Sequence, residues 1–414
     1  MNPAILCVDT NFIHVLYFRD MEFPFFNNRR ESESLVLLID VGSASIGASL
    51  ARIEKGQHPH ILTSIREDIS FQEVISSHRF MNAMSHSLDK ALRNIQKKTK
   101  NFGNPAHIFC TLSSPWFILK TRSISITRDE EFEITPEEIS NIINSDIEHL
   151  KEELKETLPP SDMRIVEKKI IQIRLNGYEV KNPYKQKTSR VEISAIVGVS
   201  SQKVVENIEK RIKSFFHSKS IHFGAFPIAA FSVIRDIFPA EKNFLFLDVT
   251  GEATDVSLVN NNILVETSSF PLGRNFFIRE ISSELRTVHE EASTLFAMFA
   301  RNELDEKRRV VLERILTRAE GQWRARFIKA ADRLFKNRAS SHRVFFTSDA
   351  DTAPLFSKII ESSKTEHPLV LPIEAFYLDR AIVSNFVTFE TEVTRDPFIV
   401  IESLLALKLI EQHT

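Results

Sequence analysis

Glycine is scarce in this sequence: 10 residues in 414, about a third of the roughly 7% that is usual. Wherever one survives, a turn or a close approach of backbone has to account for it. Cysteine is scarcer still. Cys7 and Cys110 stand apart in apolar surroundings without a CxxC partner, which argues against a disulfide framework and predicts buried thiols in a reduced compartment. No apolar run reaches the roughly 18 residues needed to cross a bilayer, and the N-terminus lacks the basic, apolar and small-residue succession of a signal peptide. The expectation is a cytoplasmic protein. An excess of one charge is lacking too: 53 Lys and Arg face 55 Asp and Glu. The longest basic cluster, Lys97, Lys98 and Lys100, has no interleaved aromatics on which bases could stack, so no nucleic-acid partner is expected.

What is present is the make-up of a folded protein, with 43% hydrophobic and 26% charged residues, long enough for two lobes or several subdomains. Phe occurs 33 times against 4 Tyr and 2 Trp, so most of the phenylalanines must fill cores. After an apolar alternation from Ile5 to Tyr17 and a polar linker over 27–34, Leu35 to Ile39 is a five-residue apolar run ending in Asp40. Val41-Gly42-Ser43-Ala44-Ser45-Ile46-Gly47 then turns the chain back into a second strand. Phe80, Met84, Leu88, Ala91, Leu92 and Ile95 recur at helical spacing, and Ala106 to Leu112 reads as the next strand. Trp116 to Ile126 is a strand leading to Thr135-Pro136-Glu137-Glu138, a helix start with a capping Thr and a first-turn Pro. Ile165 to Leu175, an Asn176-Gly177 turn and Arg190 to Val197 add strands, and Ser200 is placed to cap the helix that follows. Residues 276 to 338 read as helical and charge-rich. Trp323 is expected half buried there, beside a solvated face bearing Arg318, Arg324 and Arg326. Ile399 to Ile410 is apolar around nearly its whole circumference, as for a buried helix rather than an interfacial one.

The strongest chemical signal is a repeated unit. Phe244 to Leu247 is a second buried strand ending in an aspartate, Asp248, and Val249-Thr250-Gly251-Glu252-Ala253-Thr254-Asp255 returns into another strand. A strand-end aspartate followed by a small-residue turn suits a phosphate and metal site: backbone N–H groups approach the oxyanions, and the carboxylate holds magnesium through water. One such unit is common by chance, and Asp is also favoured after strands simply because it forms turns. Two in matching contexts are far more specific. His58, His60, His78 and His86 lack a ligand-spaced Cys or acid, so surface histidines are expected rather than a metal centre. Ser43, Ser113 and Ser114 have no His and Asp partners in the pattern that nucleophilic catalysis needs.

At these residues the sequence resembles the FtsA and PilM branch of the actin-like ATPase superfamily, over residues 35–411 or so. Asp40-Val41-Gly42-Ser43-Ala44-Ser45 matches the first phosphate loop, Asn176-Gly177-Tyr178 and Asn182-Pro183 match an inserted SHS2-type subdomain, and Phe226-Pro227-Ile228-Ala229-Ala230 matches the segment before the second loop. Asp248, Gly251, Thr254, Asp255 and Phe270-Pro271-Leu272-Gly273 follow the family's order. The resemblance implies an α/β actin-like fold, two ribonuclease-H-like lobes around a cleft with a small α+β insertion. Its expected divisions are an extension at 1–34, a first lobe at 35–115 and 199–240, the insertion at 116–198, a second lobe at 241–385 and a returning helix at 386–414. It further implies ATP with magnesium, or a cleft that has lost it. Asp40, Gly42, Ser43 and Ser45 would hold one phosphate, and Asp248, Thr250, Gly251, Thr254 and Asp255 another. Thr347 and Ser348 would face adenosine, and Asp40 and Asp248 would hold magnesium through water.

The departures from the family bear on function. Thr250, Glu252 and Ala253 replace two glycines and a threonine, and a carboxylate at Glu252 would repel a triphosphate unless it turns outward. Ser293 and Phe296 stand where the family has Glu and Lys, and Thr347-Ser348-Asp349 replaces a double glycine that lets the backbone pass close to the adenosine. The expectation is a scaffold rather than a robust ATPase, and a sugar kinase is disfavoured because no general-base aspartate can be assigned. The role the resemblance implies first is a division protein of the FtsA type, docking a tubulin-like partner at the inner face of the membrane, with the pilus role as the alternative. As a PilM-type pilus protein it would bind a cytoplasmic peptide of an inner-membrane protein through its inserted region. Self-association into filaments belongs to either role, and the family's C-terminal anchor finds no counterpart in the terminal helix.

Overall fold

The computed structural model describes residues 33–217, 221–335, 342–363 and 372–413. The expectations for Cys7 and for the first 32 residues lie outside them. The chain begins as an antiparallel meander, β1 (Glu33–Val41), β2 (Ser45–Glu54) and β3 (His60–Asp68), and α1 (Ser77–Phe102) carries it across to β4 (His107–Leu112), parallel to β1. Val36 to Ile39 of β1 are fully buried, as expected of a central strand covered on both faces. All six periodic residues of α1, from Phe80 to Ile95, face this core.

The chain then leaves the lobe. β5 (Phe117–Glu133), α2 (Pro136–Leu154), β6 (Met163–Leu175), β7 (Tyr178–Glu179) and β8 (Lys187–Ser201) form their own sheet in the order β5-β8-β6-β7, with a separate apolar core under α2. Thr135 caps α2 by accepting from the Glu138 backbone N–H at 3.1 Å. β5 runs seven residues past Ile126, the expected end, because its pairing with β8 resumes after an irregularity between Thr127 and Phe132. The helix after β8 is capped by Ser201, not Ser200. The Ser200 hydroxyl instead donates to the Trp116 carbonyl at 2.6 Å, tying the ends of the insertion together.

α3 (Gln202–Phe215), β9 (Ile221–Ala225) and α4 (Phe226–Ile237) return to the first lobe, where β9 pairs parallel with β4. The second lobe repeats the plan with β10 (Phe244–Val249), β11 (Thr254–Asn260), β12 (Ile263–Phe270), helices α5 (Arg274–Leu285), α6 (His289–Ala300) and α7 (Glu306–Phe335), then β13 (Arg343–Thr347), α8 (Ala353–Glu361) and β14 (Glu374–Tyr377). Finally α9 (Arg380–Val383), β15 (Thr388–Phe389) and α10 (Pro397–His413) cross back to the first lobe. The two sheets run β15-β3-β2-β1-β4-β9 and β12-β11-β10-β13-β14, so β1 and β10 hold equivalent positions and the hairpins after them face one cleft. α10 packs on α4 and buries Ile399, Val400, Ile401 and Leu405.

Trp323 corrects its expectation: it is fully buried, with Phe270, Phe327 and Phe356 around it at ring distances of 5.5–5.6 Å. Leu312, Leu316, Ala319, Trp323 and Phe327 form one stripe of α7 inside the second-lobe core. Arg318 stays on the exposed side, paired with Glu280 and Glu284.

Candidate nucleotide cleft

Each hairpin is closed by its own backbone. Gly42 N–H donates to the Ser45 carbonyl at 3.1 Å, and Thr250 N–H to the Ala253 carbonyl at 3.0 Å. The turns then meet each other. Ser43 Oγ donates to Thr250 Oγ1 at 2.9 Å and accepts from the Glu252 backbone N–H at 2.9 Å, while Thr250 Oγ1 passes its own hydrogen to the Ala253 carbonyl at 2.8 Å. Gly251 makes this contact possible, since a Cβ there would lie 2.6 Å from Ala44 Cβ; Gly273, just before α5, instead lets the chain pass the second hairpin, where a Cβ would lie 2.2 Å from the Thr250 carbonyl.

Arg66, which the sequence reading passed over, enters from β3. Its guanidinium donates to Asp40 Oδ2 at 2.8 Å, to Ser45 Oγ at 2.8 Å and to Asp396 Oδ2 at 2.7 Å. Burial alone would weaken its charge, but Asp396 and Asp40 outweigh that and hold it protonated above its ordinary value. Between the hairpins there remains a cavity of about 30 Å³, room for a water or two.

Of the expected site residues, Asp40, Gly42, Ser43, Ser45, Thr250 and Gly251 line this cavity. Asp248, Thr254, Asp255, Thr347 and Ser348 do not; all five are buried residues of the second lobe, and Asp255 also takes a hydrogen bond from the first. Asp248 accepts from Thr347 Oγ1 at 2.8 Å, and burial, then Asp255, push its pKa well above the ordinary aspartate range. Asp255 accepts from Ser114 Oγ at 2.7 Å and from Ser269 Oγ, and burial raises its pKa as well. Thr254 Oγ1 donates to the Leu272 carbonyl and accepts from Trp323 Nε1 at 3.2 Å. Ser348 is buried, with its carbonyl taking the Tyr377 hydroxyl at 3.2 Å.

Glu252 turns away from the cleft. It accepts from Arg279 Nη2 at 2.5 Å and from Asn275 Nδ2 at 2.8 Å, and Arg279 also donates to the Gln72 carbonyl, so this ion pair reaches a first-lobe loop. Phe71 of that loop stacks on His289 of α6 at 4.7 Å. Ser293 accepts from Arg274 at 3.0 Å, and Phe296 is buried against Phe277. A triphosphate with magnesium does not fit these residues as arranged. The first carboxylate is paired with an arginine, and the first hydroxyl is spent on the other hairpin. The described residues contain no cluster of three or more His, Cys, Asp or Glu placed to hold a metal.

No family model matches the chain, and no curated protein matches it. Its structure is similar to that of a PilM-PilN type IV pilus biogenesis complex, at a TM-score of 0.58 and 12% identity, covering 93% of this chain and 99% of that one. Two weaker likenesses are the ethanolamine utilization protein EutJ of Carboxydothermus hydrogenoformans (TM-score 0.41, 10% identity, 92% and 91% covered) and a Bacteroides thetaiotaomicron protein with an actin-like ATPase fold (0.37, 10%, 91% and 96%). With paired strand-hairpin units facing one cleft and a four-stranded insertion in the first lobe, the chain has the actin-like ATPase fold in the form seen in the PilM-PilN complex.

Proposed function

We propose that this protein is a docking scaffold of the PilM type, recruited to the inner face of the cytoplasmic membrane by a protein partner and working without ATP turnover. The observation that carries this reading is the cleft itself, where Ser43 and Thr250 join the hairpins and Arg66 neutralises Asp40. The likeness to the PilM-PilN complex, over nearly the whole of both chains, supports the pilus reading. No helix among the described residues is long and apolar enough to cross a membrane.

The partner's segment is assigned to the seam between the insertion and the first lobe. There β6 is paired along one edge with β8, whereas β7 covers the other edge only at Arg174 and Leu175. Glu167 of β6 reaches across to accept from the Ala225 N–H at 2.8 Å, placing β9 alongside. An extended segment could add backbone hydrogen bonds at such an edge.

A second reading, an FtsA-like division scaffold, rests on the sequence resemblance of Asn176-Gly177-Tyr178 and Asn182-Pro183 to that branch. Capture of partners from the source cell separates the two. Inner-membrane pilus components support the first reading, a tubulin-like division protein supports the second, and ATP-dependent capture of either would count against a nucleotide-free scaffold.

A further inference from the structure

The place a metal ion would take at the first hairpin is filled by a side chain with its own supporting structure. Arg66 lies opposite Gly47 in the β2–β3 register, and the bare glycine is what admits it: a Cβ there would stand 2.8 Å from Arg66 Nη2 and 3.2 Å from Cζ. The Phe398 ring packs against the guanidinium, 5.1 Å from its centroid. Asp396, which receives Nε, also caps α10 by accepting from the Phe398 N–H at 3.0 Å. One guanidinium therefore ties together the first hairpin, β3 and the start of the returning helix.

The charges around it are uneven. Asp40, Asp396 and Glu402 are all buried, at 2%, 8% and 2% exposure, and Asp40 Oδ1 and Glu402 Oε1 have no hydrogen-bond partner among the described residues. Two of these carboxylates, Asp40 at 2.8 Å and Asp396 at 2.7 Å, share one guanidinium. Without the guanidinium, two buried carboxylates and the Ser45 hydroxyl make an oxygen-rich set whose charge a divalent cation balances.

We propose that Arg66 is a resident cation standing in for a divalent metal at the first hairpin, and that its removal exposes a latent divalent-cation site formed by Asp40, Asp396 and Ser45. The proposal rests on the reading of the cleft as closed to nucleotide, and it is independent of which partner docks.

Thermal unfolding of the full chain tests it in wild type, Arg66→Ala and Arg66→Ala/Asp40→Asn, each titrated with MnCl2 to millimolar concentration. Wild type is expected to ignore the metal. Arg66→Ala is expected to be destabilised, or unfolded, without metal and to regain stability saturably with Mn2+. The double variant is expected to tolerate the absence of metal better than Arg66→Ala and to lose the Mn2+ response. If Arg66→Ala gains no more from Mn2+ than wild type does, or fails to fold with and without the metal, the proposal is overturned. It is equally overturned if the double variant keeps the response. None of these outcomes bears on partner capture, so a failure here is distinguishable from a failure of the scaffold reading.

Discussion

Ser43 in the first hairpin hands its hydroxyl hydrogen to Thr250 in the second across 2.9 Å, and the same oxygen takes the Glu252 backbone hydrogen. Two loops whose counterparts in the family's fold are expected to grip phosphates from opposite sides here grip each other. Replacing Ser43 by Ala leaves the buried Glu252 N–H without an acceptor, which costs about 1–3 kcal/mol. Urea unfolding of Ser43→Ala should show a lowered midpoint with an unchanged slope, and an unaltered midpoint would mean that the contact is not formed in solution.

Glu252 holds Arg279 within the second lobe, and Arg279 carries a further tie across to the Gln72 carbonyl of the first. The Glu252 side chain is only 6% exposed, so Arg279→Ala strands a buried carboxylate and should cost about 3–5 kcal/mol. Glu252→Gln with Arg279→Gln should cost less than Arg279→Ala alone, because no unpaired charge is left behind. Chemical denaturation of the three variants checks that order.

Gly251 is needed for contact with Ala44, not for a phosphate. Gly251→Ala places a methyl 2.6 Å from Ala44 Cβ and should destabilise by about 1–3 kcal/mol. Adding Ala44→Gly should recover part of the loss, leaving a residue from the Ala44 Cα and N at 3.0 Å. A double-mutant cycle by calorimetry measures this coupling, and strict additivity would contradict it.

Asp248 carries a pH signature. Its pKa is raised by burial, then by Asp255 and Asp40, against the hydrogen bond from Thr347. A carboxyl whose folded pKa lies above its unfolded value adds stability that is fully present below about pH 4 and is lost as pH rises through the raised value. Asp248→Asn should therefore lack that part of the decline and match or exceed wild type at neutral pH and above. Stability curves of the two proteins that fall in parallel with rising pH would rule this out.

Much of the fold was legible because its signals are local. The apolar runs before Asp40 and Asp248, the periodic face of α1 and the Thr135-Pro136 start of α2 each follow from a few adjacent residues. The closure of the cleft was not legible, because it depends on register and on distant partners. Arg66 meets Asp40 only because Gly47 stands opposite it on β2, and Asp396 joins them from 330 positions away. Glu252 was recognisable as a misfit beside a triphosphate, but the choice between repelling one and turning outward was made by Arg279 and Asn275 on α5. Trp323 was misplaced because its flanking arginines hide a stripe from Leu312 to Phe327 that is apolar throughout.

The most direct measurement is a titration of the full chain with a fluorescent ATP analogue, with and without magnesium, alongside Asp40→Ala. A cleft closed by Ser43, Thr250 and Arg66 should give no saturable binding in either protein, whatever the magnesium concentration. Micromolar, magnesium-dependent binding that Asp40→Ala abolishes would contradict the closed cleft and restore the nucleotide to the function of this protein.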